Sequence, residues 1–96
     1  MQKKIFSCQA YLSNGEIIDI TYESEYLRQG TWINEIILCN YRGVDISPIF
    51  LDHKKTKVKA ADLPNEIYCA VENNARYQWE RKDSILNALG LKQFIN

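Results

Sequence analysis

Apolar and polar side chains alternate over residues 5–12 and again over 16–23, the period of a strand with one buried face. Ser13-Asn14-Gly15 between them is a hairpin signal. Matching the faces decides the register. A two-residue loop sets Leu12 against Ile17, but also Ala10 against Asp19 and Phe6 against Glu23, which splits the apolar face. A three-residue loop sets Phe6 against Tyr22, Cys8 against Ile20 and Ala10 against Ile18, and one face becomes apolar throughout. That loop needs its last residue in the left-handed conformation, which Gly15 adopts without steric cost, so a type I turn with a glycine bulge is expected. Ser7, Gln9, Tyr11, Ile17, Asp19, Thr21 and Glu23 then face solvent.

Residues 24–31 read as a connection, with Ser24 capping a single helical turn that Gly30 ends. Residues 32–39 are isoleucine-rich and form a third strand. Ile33, Ile37 and Cys39 share one face, and Trp32, Asn34, Ile36 and Leu38 the other, as in a central strand partly covered on both sides. Asn40-Tyr41-Arg42-Gly43 turns the chain into Val44-Asp45-Ile46, where an even-length loop keeps Val44 and Ile46 on the face of Cys39 and Ile37. Pro48 cannot donate to a ladder, so this fourth strand stops at about Ser47, which then caps a short turn over 48–51. Residues 53–59 read as a basic connector or an exposed edge strand. Asp62 caps the main helix, whose buried stripe is Leu63, Ile67, Val71, Ala75 and Trp79 at four-residue spacing. Glu80-Arg81-Lys82-Asp83-Ser84 interrupts that stripe, and a second short helix with Ile85, Leu86 and Leu89 follows, closed by Gly90.

The fold class expected is therefore α+β: two β-hairpins forming a mainly antiparallel four-stranded sheet, packed on one face by a C-terminal helix. Phe6, Cys8, Ala10, Ile18, Ile20, Ile37, Ile46, Ile67, Val71 and Trp79 form the expected core. Ninety-six residues make one domain, 1–96, inside the usual ~50–250 residue range. A chain this short buries roughly 60–65% of its unfolded surface, enough for one modest core without a deep cleft.

Charge adds an asymmetry that the zero net charge conceals. Residues 1–52 carry four basic and seven acidic side chains, a net −3, whereas residues 53–96 carry eight basic and five acidic, a net +3. Such a chain steers toward a partner without the overall positive field of a dedicated nucleic-acid binder. The cysteines Cys8, Cys39 and Cys69 are widely spaced and odd in number, which argues against a disulfide framework and for a reducing compartment. With no apolar run of ~18–20 residues and no signal-type leader in Met1 to Gln9, a cytoplasmic location is expected and no membrane is implied.

Candidate chemistry is sparse. The single histidine, His53, lies among lysines, and no nucleophile–base set or phosphate-cradling glycine loop can be built by spacing. A Cys8/Cys39/Cys69/His53 zinc site lacks the close ligand pairs such sites use, and Cys8 and Cys39 fall on apolar faces. No catalytic residue, metal or cofactor is expected. Asp19, Glu23 and Glu25 on the hairpin have nothing apolar around them to raise a pKa, so acid–base catalysis is not expected of them. They are either a solvated strand face or an acidic patch that meets a basic surface along ~13–14 Å of strand. Lys54, Lys55, Lys57 and Lys59 form a local basic segment, either a solvated loop or a phosphate-binding one, with no arginine–aromatic cluster beside it to read bases. Among the many aromatic residues, Tyr41 followed by Arg42 at a hairpin tip has the composition of an interface anchor.

The segment Gly43-Val44-Asp45-Ile46-Ser47-Pro48-Ile49, after an Asn-Gly hairpin and an isoleucine-rich strand, resembles a pattern in small phage- and prophage-encoded proteins. That class includes inhibitors of bacterial defence such as anti-CRISPR proteins. The resemblance covers a minor part of the chain and implies a role, an inhibitor that binds a protein, but no functional residue. Two functions follow as expectations. The first is a non-enzymatic protein-binding module that blocks a host complex through Asp19, Glu23, Glu25, Tyr41 and Arg42. The second is a nucleic-acid-binding regulator using Lys54 to Lys59. A free edge strand and surplus aromatics also permit a homodimer.

Overall fold

The computed structural model describes residues 2–28, 30–50, 58–60 and 63–88. In chain order they form β1 (Gln2–Tyr11), β2 (Ile17–Arg28), β3 (Thr31–Tyr41), β4 (Val44–Asp45), α1 (Ser47–Phe50), β5 (Val58–Lys59) and α2 (Asn65–Ala88). The architecture is α+β: an antiparallel sheet in the order β1-β2-β3-β4, with α2 on one face. A fifth short strand is added to the expected four. β5 pairs with β3 at Glu35 and Ile36, and β4 pairs with it at Asn40 and Tyr41, so the two share the outer edge of β3. The edge-strand reading of the basic segment thus holds at its end; His53, Lys54, Lys55 and Lys57 lie outside the described residues.

The first hairpin has the register that face-matching demands: Phe6 opposite Tyr22, Cys8 opposite Ile20, Ala10 opposite Ile18. Gly15 N–H donates to Leu12 C=O at 3.0 Å, Leu12 N–H donates to Glu16 C=O at 2.8 Å, and Gly15 sits at φ 89°. These are the bonds of a type I turn closed by a glycine bulge.

The expected connection over 24–31 is instead the second half of β2. Ile18, Ile20, Tyr22, Ser24 and Tyr26 alternate inward without a break, and Gly30 (φ 73°) sits in the turn into β3. Ser24 masked the pattern because it is polar. It is fully buried and accepts a hydrogen bond from Trp79 Nε1 at 2.9 Å, so the hydroxyl serves the core and not a helical cap.

The face assignment in β3 is also corrected. Thr21 pairs with Leu38 but Tyr22 pairs with Ile36, leaving Ile37 as the extra residue of a β-bulge. The bulge resets the alternation, so Asn34 and Ile36 point inward before it and Cys39 after it, and Ile36 takes the core place expected of Ile37. Val44, expected inward, is exposed, because the two-strand ribbon β3–β4 runs past the helix that covers the core. Asp45, not Ser47, supplies the acceptor at the start of α1: its carboxylate takes the Ser47 N–H at 2.8 Å. Ser47 is buried and its hydroxyl accepts the Cys39 N–H at 2.8 Å.

The stripe of α2 is as its spacing requires, with Leu63, Ile67, Val71, Ala75 and Trp79 all buried. Its first turn is tied to the hairpin tip by Ser13 N–H donating to Glu66 at 2.8 Å. The expected cap, Asp62, lies outside the described residues. The expected break at residues 80–84 does not occur; one helix runs to Ala88. The polar stretch holds the good helix formers Glu80, Arg81 and Lys82, and the whole helix lacks glycine and proline, so the backbone continues.

Trp79 closes the core. Its ring meets Phe6 edge-on at 5.6 Å and Tyr26 at 5.1 Å, and Phe6 meets Tyr22 at 5.8 Å. Trp79→Ala should therefore cost roughly 3–5 kcal/mol. Ser24→Ala, which strands the indole N–H, should cost about 1–3 kcal/mol. Urea denaturation measures both, and an unchanged midpoint for either would remove that residue from the core.

Candidate functional site

Because α2 covers one face of the sheet, the side chains that alternate away from it form an open face. The pairings define its rows. Lys3, Glu25 and Ile33 lie side by side; so do Ile5, Glu23, Glu35 and Lys59; Gln9, Asp19 and Asn40 form a third row, and Tyr11 and Ile17 a fourth. Neighbouring strands are ~4.8 Å apart, so each row is a set of side-chain neighbours. Asp19, Glu23 and Glu25 thus share one surface, as the sequence led us to expect. The structure adds Glu35: it has the parity of Ile37, expected in the core, and the bulge at Ile37 turns it to the open face with Ile33.

The face is as apolar as it is acidic. Ile5, Tyr11, Ile17 and Ile33 are 64%, 69%, 41% and 42% exposed and stand between the carboxylates. Local bonds pre-position the acids. Lys3 Nζ lies 3.4 Å from Glu25, Gln9 Nε2 donates to Asp19 at 2.9 Å, and Tyr11 OH donates to Gln9 at 3.0 Å. Lys59, the one described member of the basic segment, stands opposite Glu35 within this face.

Tyr41 and Arg42 are placed elsewhere. Tyr41 has the inward parity of Cys39, at the end of the sheet, and faces away from the side of Asp19, Glu23 and Glu25. Arg42 (φ 50°) and Gly43 (φ 82°) form a two-residue turn. The left-handed backbone costs Arg42 about 1–2 kcal/mol. Tyr41 OH donates to Glu16 at 2.6 Å, Arg42 Nη2 lies 3.4 Å from the same carboxylate, and the guanidinium sits 5.2 Å above the Tyr41 ring. Glu16, which sequence reasoning missed, therefore fastens this tip to the first hairpin. Its only signal in the sequence was its place just after the glycine turn.

A groove of about 410 Å³ runs between α2 and the start of β3, lined by Tyr26, Trp32, Trp79, Glu72, Arg76 and Glu80. Beside it buried Asn34 donates to Glu72 at 2.9 Å, and its Oδ1 has no partner among the described residues.

Burial pushes the Cys8 and Cys39 thiols up to about 11, away from nucleophilic thiolate. Burial, with Cys8 and Glu72 nearby, also raises the Tyr22 phenol. Among the described residues no group of three or more His, Cys, Asp or Glu side chains could hold a metal ion, and no helix is long and apolar enough to cross a membrane. Comparison with family models, with curated proteins and with solved structures finds no match to this chain.

The Tyr41–Glu16 contact makes a testable statement. The Glu16 hydrogen bond, then desolvation, raises the Tyr41 phenol above its ordinary value, against the opposing charge of Arg42. A raised folded-state pKa means the contact contributes fully below the unfolded value of ~10 and is lost as pH rises through the folded one. Glu16→Gln should bring the Tyr41 ring titration, followed by NMR, back toward the ordinary value. Superimposable titrations would show that the contact does not form.

Proposed function

We propose that this protein is a non-enzymatic binding module that docks its open sheet face on a basic, partly apolar protein surface. The observation that carries this reading is the composition of that face: Asp19, Glu23, Glu25 and Glu35 interleaved with exposed Ile5, Ile17, Ile33 and Tyr11. Carboxylates supply steering and register, while apolar side chains supply area to remove from water. A face that only kept the protein dissolved would need the acids and not the isoleucines. Partners that handle nucleic acid present such basic surfaces. An inhibitor that covers one, such as a phage-encoded inhibitor of a host defence complex, fits both the charge pattern and the resemblance of residues 43–49. Tyr41 and Arg42 act at the margin, since Glu16 already engages them.

The described end of the basic segment does not favour nucleic acid. Lys59 pairs across the ladder with Glu35, which places it on the acidic surface.

Capture from native lysate, with protein and nucleic acid both identified, tests the reading when the wild type is run beside Asp19→Lys/Glu23→Lys/Glu25→Lys. The wild type should retain a protein with a basic surface, and the variant should lose it, with association slowed roughly tenfold or more at low salt. Retention that ignores the charge reversal, or retention of nucleic acid alone with a steep salt dependence, would reject it.

A further inference from the structure

β1 is the outer strand of the sheet, and among the described residues no strand pairs with its other edge. The bond from Leu12 N–H to Glu16 C=O decides which backbone groups point there. Hydrogen-bonded pairs alternate along an antiparallel ladder. Ala10, Cys8 and Phe6 therefore bond to β2, and the N–H and C=O groups of Ile5, Ser7, Gln9 and Tyr11 point outward. Such a row is a template for another strand unless charge, proline or a bulge guards it. Lys3 and Lys4 guard only one end. Residues 5–11 contain no charge, no proline and no glycine.

We propose that this edge pairs antiparallel with β1 of a second copy of this chain, about a twofold axis at Cys8. Residues directly opposite share a face. In this register Ile5 meets Tyr11 of the partner subunit, Phe6 meets Ala10 of the partner subunit, and Ser7 meets Gln9 of the partner subunit. The two most exposed apolar residues of the strand, Ile5 and Tyr11, cover each other, and a large inward ring is set against a small methyl. The contact is confined to the uncharged segment. Centring the axis on Ser7 would set Ile5 against glutamine, and centring it on Phe6 would set Lys4 against a half-buried cysteine.

The flanks also agree. Lys4 falls opposite Leu12 of the partner subunit, next to Ser13 of the partner subunit, whose N–H is held by the carboxylate of Glu66 in the same chain. An open groove of about 680 Å³ between α2 and this edge, lined by Cys8, Ala70, Asn73 and Tyr77 among others, leaves room for the inward side chains of the incoming strand. The pairing does not depend on the function proposed above, and it joins two open acidic faces into one sheet.

At the axis the two Cys8 residues form a non-hydrogen-bonded pair, with Cα atoms ~4.5 Å apart. This lies within the ~4.4–6.8 Å that a disulfide spans. The experiment combines sedimentation equilibrium of the full chain with copper–phenanthroline oxidation of a Cys69→Ser background and peptide mapping of the product. The expected result is twice the monomer mass and a Cys8–Cys8 cross-link. Ser7→Pro removes an outward N–H while leaving the β2 ladder intact, and should give a folded monomer that does not cross-link. If Ser7→Pro fails to fold, Ser7→Lys/Gln9→Lys places lysines opposite each other and should also dissociate the dimer. A monomer at every concentration with no cross-link overturns the proposal. So does a dimer that survives both the proline and the lysine variants.

Discussion

The fold turns on one buried hydrogen bond, from the Trp79 indole N–H to the hydroxyl of Ser24. Both residues are shielded from water, so neither polar atom can exchange its partner for solvent. The bond fixes the rotation of α2 about its axis and its height along β2. With that phase set, Leu63, Ile67, Val71 and Ala75 fall on the sheet, and Asn74 and Glu72 reach Tyr22 and Asn34. The rings of Phe6, Tyr22 and Tyr26 then fill the space around the indole.

Among the described residues α2 covers one face of the sheet, and Ile5, Tyr11, Ile17 and Ile33 on the other face stay exposed. Strand alternation decides what stands there, and it places acids and isoleucines in shared rows. The grooves beside α2 are open surface channels, and burial raises the Cys8 and Cys39 thiols to about 11. We propose contact through two surfaces: the open face toward another protein, and the β1 edge toward a second copy.

Much of this was legible in the sequence wherever a simple period ran undisturbed. The first hairpin and its glycine bulge followed from matching faces, and the helix stripe from four-residue spacing. Three features escaped because they are set by tertiary contacts. Ser24 looks like a turn residue until Trp79 is brought to it. The bulge at Ile37 shifts the alternation by one without any glycine or proline to announce it. The polar run after Trp79 looks like a helix break, yet the backbone stays helical to Ala88. Of the site, the sharing of one face by Asp19 and Glu23 was readable from parity, while Glu25 joined them only because β2 runs on through the expected connection. Glu35 was hidden by the bulge, and the engagement of Tyr41 and Arg42 by Glu16 depends on a pairing across 25 residues that no local pattern carries.

The central claim is that one face of the sheet is covered by α2 and the other is open. Isoleucine δ1-methyl NMR with a soluble paramagnetic agent tests it most directly. In the Ser7→Pro monomer the methyls of Ile5, Ile17 and Ile33 should be broadened first, while those of Ile18, Ile20, Ile36 and Ile67 stay sharp. Protection of Ile17 and Ile33 in the monomer, or early broadening of Ile36, would contradict it.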